Sequence, residues 1–301
     1  MAGPLPQSRS ATLGFAILSH RDPHQLARLV DRLARLYPGA PITIHHDLGQ
    51  SPLAPPLRAS VERAARFVEP SIATRWGRWS LVDATIRTLA SLARSADAPE
   101  WITLLSASDY PVAQPPVVLA DLARAEADAF IEAHPVSLRG PCDARTRSLR
   151  KRYLRQTLWL ADVHPAWGSA RLSLPAPLGR VIGPFGTPLA LHWGPQWFTC
   201  SRRAALAIAD AARTHRRLLR WMRRTHIPDE AFIHTVIMNT PELRAIPDNR
   251  RFIRWSGPGA KSPETLTRAD LEAARASGAH FARKFNPDDP TLDDLDRSLG
   301  L

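Results

Sequence analysis

Cysteine is nearly absent: Cys142 and Cys200 are the whole complement of a 301-residue chain. Two thiols exclude a disulfide scaffold and a four-cysteine zinc site, and they suit a reducing compartment, with a bond between the two left open. Lysine is almost as scarce. Of forty basic side chains only Lys151, Lys261 and Lys284 are lysines, so arginine is the default surface cation. A lysine kept against that background points to a need for a compact ammonium. Long apolar runs are missing too. The longest uncharged stretch, residues 181–201, carries three prolines and three glycines and does not read as a membrane span. The apolar run at 13–18 is too short for a signal-peptide core. The expectation is a cytoplasmic protein, or one resting peripherally on the inner face of a membrane. Finally, no glycine-rich phosphate loop follows that first apolar run. Ser19-His20-Arg21-Asp22-Pro23 stands there, without GxGxxG or a Walker lysine, which excludes dinucleotide enzymes and P-loop NTPases.

What is present is ordinary globular composition, 44% hydrophobic and 23% charged. Residues 12–18 (TLGFAIL) read as a buried strand, 24–36 as a helix with apolar residues at helical spacing, and 42–46 (ITIHH) as a second strand. Strand, helix, strand in so short a span is a βαβ unit and predicts a parallel sheet. Further strands are expected at 67–68, 101–105, 129–132 and 196–200, and helices at 80–94 and 115–124. The proline-rich stretches 52–56 and 165–188 read as loops, the second as a flap. The predicted class is α/β, a single domain over 12–301. Its Rossmann-like half, 12–125, would bind nucleotide, and its less regular half, 126–301, would bind the second substrate and clamp the nucleotide's diphosphate.

Several clusters carry chemistry. His45-His46-Asp47 closes the second strand, and ligands of open α/β sheets gather at carboxyl ends of strands. Ser106-Ala107-Ser108-Asp109 closes the strand at 101–105. An Asp-x-Asp pair there would hold a divalent ion on a nucleotide-sugar diphosphate; this chain offers one carboxylate, and a hard cation wants more oxygen charge. The only Asp-x-Asp, Asp294-Leu295-Asp296, reads as helical surface. Pro228-Asp229-Glu230 reads as a helix start, where the dipole would hold Glu230 ionised, and an acid there serves as a general base if the helix end faces a cleft. Trp255, Lys261, Arg283 and Lys284 form a basic and aromatic C-terminal cluster able to neutralise a leaving diphosphate, unless it is merely solvated surface. Two arginine-rich runs, 145–155 and 213–224, interleave with apolar residues as amphipathic helices with basic outer faces. The net charge of +12 invites a nucleic-acid or anionic-membrane partner, but the arginine bias weakens that reading.

In order, residues 15–33, 42–47, 76–86, 102–112, 194–202, 228–241 and 277–285 resemble the core-2/I-branching β-1,6-N-acetylglucosaminyltransferase and peptide O-xylosyltransferase family, glycosyltransferase family 14. The resemblance implies a GT-A-like fold, a UDP-sugar donor, a glycan or glycoconjugate acceptor, inversion at the anomeric carbon, and neither metal nor cofactor. It implies Glu230 as catalytic base. It assigns Asp47 to the uracil, Asp109 to the nucleotide-sugar side, and Lys261, Lys284 and Arg283 to the diphosphate. Glu132, Trp255 and Trp197 fall on the acceptor side. GlcNAc is the expected sugar and xylose the alternative. Gln196 stands where xylosyltransferases carry an acid, which shifts the base role to Glu230. A non-catalytic basic protein that binds nucleic acid or a membrane surface is the alternative from another class.

Overall fold

The computed structural model describes residues 11–137, 143–162, 169–175, 189–257, 260 and 262–301. The first half runs β1 (Leu13–Ser19), α1 (Pro23–Leu36), β2 (Ile42–His46), α2 (Pro55–Glu62), β3 (Arg66–Phe67), α3 (Trp79–Ala93), β4 (Trp101–Ser106), β5 (Asp109–Pro111) and α4 (Pro115–Arg124). The second half opens with β6 (Ala129–Phe130), β7 (His134–Pro135), α5 (Ala144–Tyr153), β8 (Arg155–Asp162), β9 (Ser169–Pro175), β10 (His192–Trp193) and β11 (Thr199–Ser201). It closes with α6 (Arg202–Thr214), α7 (Arg216–Met222), α8 (Phe232–Met238), β12 (Ala245–Ile246), β13 (Arg251–Ile253), α9 (Leu271–Ala276), β14 (Phe281–Arg283) and α10 (Thr291–Leu299).

The main sheet has the order β12-β6-β11-β4-β1-β2-β3. β1 pairs in parallel with β2 and β4, and β11 enters antiparallel between β4 and β6. This is the expected α/β fold with a Rossmann-like first half. Both faces of β1 are covered, which is why its sequence is continuously apolar rather than alternating. Leu13, Phe15 and Ile17 join one core with α1, while Ala16 and Leu18 join a second core with α3, α6 and α8. A small second sheet, β13-β14-β5, lies against the first core and sets Arg283 opposite Asp109.

Several expectations are corrected. Pro55 and Pro56 do not sit in a loop but open α2, because a proline at the first helical turn forfeits no hydrogen bond. Within 165–188, residues 169–175 form β9 and pair with β8; the remainder to 188 lies outside the described residues. The run 213–224 is not one helix: α6 ends at Thr214 and α7 begins at Arg216 across His215 (φ −114°, ψ 51°). Asp296 lies in a helix as expected, yet it is buried, accepting from Tyr110, Arg28 and Arg32.

Candidate active site

A cleft of about 1220 Å³ opens at the carboxyl ends of β1 and β4. Its walls come from Ser19–Asp22 after β1, Ser106–Ser108 after β4, one side of α5, the segment 193–197, the 229–230 turn, and the 249–255 and 283–287 segments. Of the residues singled out from sequence, Glu132, Trp197, Glu230, Trp255, Arg283 and Lys284 all line it. Parallel strands carry ligand sites at this end because the loops leaving them diverge.

Glu230 sits in a single 3-10 turn, Pro228–Glu230, which ends at Ala231 (φ −139°) before α8 starts at Phe232. It therefore precedes the helix rather than opening it, and burial governs its ionisation instead of the helix dipole. Burial raises its pKa above the ordinary carboxylate value, and Arg152 opposes the rise. The Arg152 guanidinium meets Glu230 Oε2 at 2.7 Å. Beside it, Asp229 is buried and its Oδ1 has no partner among the described residues. Burial, with Glu230 adjacent, pushes Asp229 up to about 7.

One glycine ties the acidic residues of the cleft together. Gly194 donates its N–H to the Glu230 carbonyl at 2.9 Å, and a Cβ there would lie 1.8 Å from the Glu132 carbonyl oxygen. Only a residue without a side chain brings the backbones of 132, 194 and 230 this close. The Glu132 carboxylate meets His134 Nε2 at 2.9 Å, and His134 packs against Trp193, whose ring the Arg145 guanidinium covers at 4.5 Å.

The opposite chemistry gathers at the C-terminal segments. The guanidinium of Arg283 stacks on Trp197 at 4.0 Å and faces the fully buried Asp109 at 3.2 Å. Its Nε and Nη1 have no hydrogen-bond partner among the described residues, and burial lowers its pKa. Arg251, equally buried, is lowered to about 10. It spends its donors on the Leu104, Phe198, Asn249 and Arg250 carbonyls. Lys284 Nζ donates to Ser262 Oγ at 2.8 Å. Two buried guanidiniums thus share one buried carboxylate, and the wall carries net positive charge in a poorly screened place.

Asp109 and Asp47 are not among the residues lining the cleft. Asp109 holds the Ser106 N–H and hydroxyl as well as facing Arg283. Asp47 is buried and accepts from the N–H groups of Gly49 and Thr74, the Thr74 hydroxyl and the Gln50 amide. It orders the loop that leads to Trp76, which is 67% exposed and lines the cleft. Lys261 and Cys142 lie outside the described residues; Cys200 is a buried free thiol. Among the described residues no group of three or more His, Cys, Asp or Glu is placed to hold a metal ion. Nor is any described helix long and apolar enough to cross a membrane.

Arg152, Gly194, Trp76 and Arg251 are not legible in the sequence as site residues, and Asp229 is legible there only as the second choice to Glu230. Arg152 was hidden inside a run of arginines, and no spacing rule separates the one that turns inward. Asp229 neighbours the acid that was chosen, and only its depth distinguishes it.

The family model described as "Core-2/I-Branching enzyme" matches residues 13–277. The chain belongs to the Core-2/I-Branching enzyme family of glycosyltransferases. Among curated relatives it is 27% identical to the beta-glucuronosyltransferase GlcAT14A of Arabidopsis thaliana over 73% of this chain and 47% of that protein. It is 28% identical to human xylosyltransferase 1 over 62% of this chain and 18% of that one. The matched region is thus about half the plant relative and under a fifth of the human one. Among solved structures, the bifunctional glycosyltransferase WbbM in its apo form aligns over 99% of this chain and 51% of that one, with 9% identity and a TM-score of 0.44.

Proposed function

We propose that this protein is an inverting glycosyltransferase that carries a sugar from a UDP-sugar to a hydroxyl of a glycan or glycoconjugate. The observation that carries the reading is Glu230, a partly exposed carboxylate in the cleft, kept company by Arg152 and faced by a separate cationic wall. In the reaction the acceptor oxygen attacks the anomeric carbon as its proton passes to Glu230. The bond from that carbon to the diphosphate breaks, and its electron pair leaves on the phosphate oxygen. Arg283 and Lys284, with Lys261, neutralise the charge growing there, the task a metal performs in other nucleotide-sugar enzymes. Arg152 favours the ionised Glu230 that a base must be, against the burial that opposes it.

Glu132, Trp197 and Trp255 are assigned to the acceptor side and Asp109 to the donor side, as the support of Arg283. Asp47 serves the uracil through the loop it orders, and direct contact would use the lone pairs its four internal donors leave free. GlcNAc is our first choice of sugar; xylose is the alternative, and the plant relative's name adds glucuronic acid. The second reading, a basic protein that binds polyanions or an anionic membrane without catalysis, is favoured by the charge of +12 alone. A hydrolysis screen of UDP-GlcNAc, UDP-xylose and UDP-glucuronic acid with EDTA present tests both. Turnover of one donor, with UDP raising the melting temperature, supports the transferase. No UDP response together with steeply salt-dependent polynucleotide or vesicle binding supports the second reading.

A further inference from the structure

The two arginine-rich runs, nearly sixty positions apart in sequence, come together as one surface. Leu149 and Tyr153 of α5 and Leu218 and Met222 of α7 enter the same hydrophobic core. Trp221 Nε1 of α7 donates to the Tyr153 carbonyl at 2.8 Å, and the Arg224 carbonyl accepts from Thr157 of β8. Residues 144–157 and 214–227 contain no acidic side chain. Arg145, Arg147 and Lys151 on α5, Arg216 and Arg220 on α7, and Arg223 just after it are exposed; Asp143, which caps α5, attracts Arg145 and Arg147, but none of the six closes an ion pair among the described residues.

This face runs into the cleft. Arg145, Ser148 and Arg152 of α5 line it, and Arg152 touches Glu230. The face therefore continues the acceptor side of the site. It is also free of large exposed apolar side chains: those of the described residues are Leu48, Trp76, Val117, Met238 and Trp255, none of them on α5 or α7. A membrane surface is usually gripped by apolar anchors as well as by charge. A hydrophilic polyanion needs charge alone.

We infer that the acceptor is an acidic glycan, whose repeating anionic groups lie along the α5–α7 face while its reacting hydroxyl reaches Glu230. The inference rests on the transferase reading above and names its substrate class. Arg145 stands at the junction, its guanidinium spread on Trp193, a platform that presents N–H edges to a carboxylate or sulfate at the cleft wall. Cations this dense repel one another, and a bound polyanion relieves that repulsion.

The test measures binding, by titration calorimetry with UDP present, of an oligogalacturonide against its methyl ester, and of dextran sulfate against dextran. R147Q/R220Q removes two charges from the face. R124Q/R275Q removes two exposed charges on α4 and α9, which pack into the core on the other side of the sheet. We expect saturable binding of at least one acidic glycan and none of its neutral counterpart, and the acid that binds names the anion. The face variant should bind at least about tenfold more weakly, one charge-assisted contact's worth, and the control within about twofold. Equal losses in both variants, or no acidic glycan bound, overturn the inference. So does binding to phosphatidylglycerol vesicles that falls in R147Q/R220Q while glycan binding stays unchanged. The melting shift caused by UDP should survive in every variant. Its absence from the wild-type protein would instead sink the transferase reading, whatever the glycans do.

Discussion

Two adjacent acids in one turn are both raised by burial, and they differ because Arg152 hydrogen-bonds only one of them. Glu230 faces Arg152; Asp229 has an oxygen that meets nothing among the described residues. E230Q keeps the shape and loses the proton acceptor, so turnover should fall by about 10²–10⁴-fold while UDP still raises the melting temperature. Near-normal turnover would remove Glu230 from the base role and bring Asp229 and Glu132 forward. For Asp229 the informative variable is pH. Its folded value of about 7 lies above the ordinary 3.8, so the unfolded chain loses this proton first as pH rises. Its contribution to stability is full below about pH 4 and lost as pH climbs through 7. D229N removes the ionisable group, and should be more stable than wild type at pH 8, by on the order of a few kcal/mol at most. The gain should vanish at pH 4. Urea unfolding at the two pH values checks it, and an equal effect at both would place the burial elsewhere.

Among the elements, the contact at Gly194 is the narrowest. G194A drives a Cβ into the Glu132 carbonyl and must displace either the segment between β6 and β7 or the 229–230 turn. We expect a destabilisation of about 1–3 kcal/mol, as for other overpacked sites, and a fall in turnover larger than the lost stability explains. Unchanged melting with unchanged turnover would show that the backbones yield freely. The elements also show what the sequence made legible. β1 and β4 were readable because a strand covered on both faces is apolar throughout, and α1 because its buried residues recur at helical spacing. β5, β7, β10, β12, β13 and β14 are two or three residues long. Their partners define them, and no local pattern does. Pro55 and Pro228 misled in opposite directions: a proline is compatible with a loop, a 3-10 turn and a helix start alike, and distant packing chose among them. The family-like segments carried Glu230 and Lys284, and the wider resemblance Glu132, all of which line the cleft. The resemblance gave no sign that Asp47 and Asp109 would be committed to hydrogen bonds behind it.

On the scale of the whole molecule, charge is sorted. Glu132, Asp229 and Glu230 lie on one wall of the cleft, with Arg145 and Arg152 beside them, and Arg251, Arg283 and Lys284 lie on another without a carboxylate lining it. If side chains do the work of a metal, EDTA should leave turnover unchanged, and K284A should lower kcat by about 10²–10³-fold without rescue by added Mg²⁺. Loss of wild-type activity in EDTA would overturn that arrangement.

The pairing of β14 with β5 has a bearing on how such a molecule comes into being on the ribosome. Strand β14 brings Arg283 to Asp109, a partner synthesised 174 positions earlier, counting 283 less 109. A nascent chain that has reached residue 280 already contains Glu132, Glu230 and Arg251, and could form the main sheet. It has neither Arg283 nor Lys284. The acidic wall is therefore made before the cationic one is complete, and no molecule made only to residue 280 holds a complete cleft in which a sugar nucleotide could be spent.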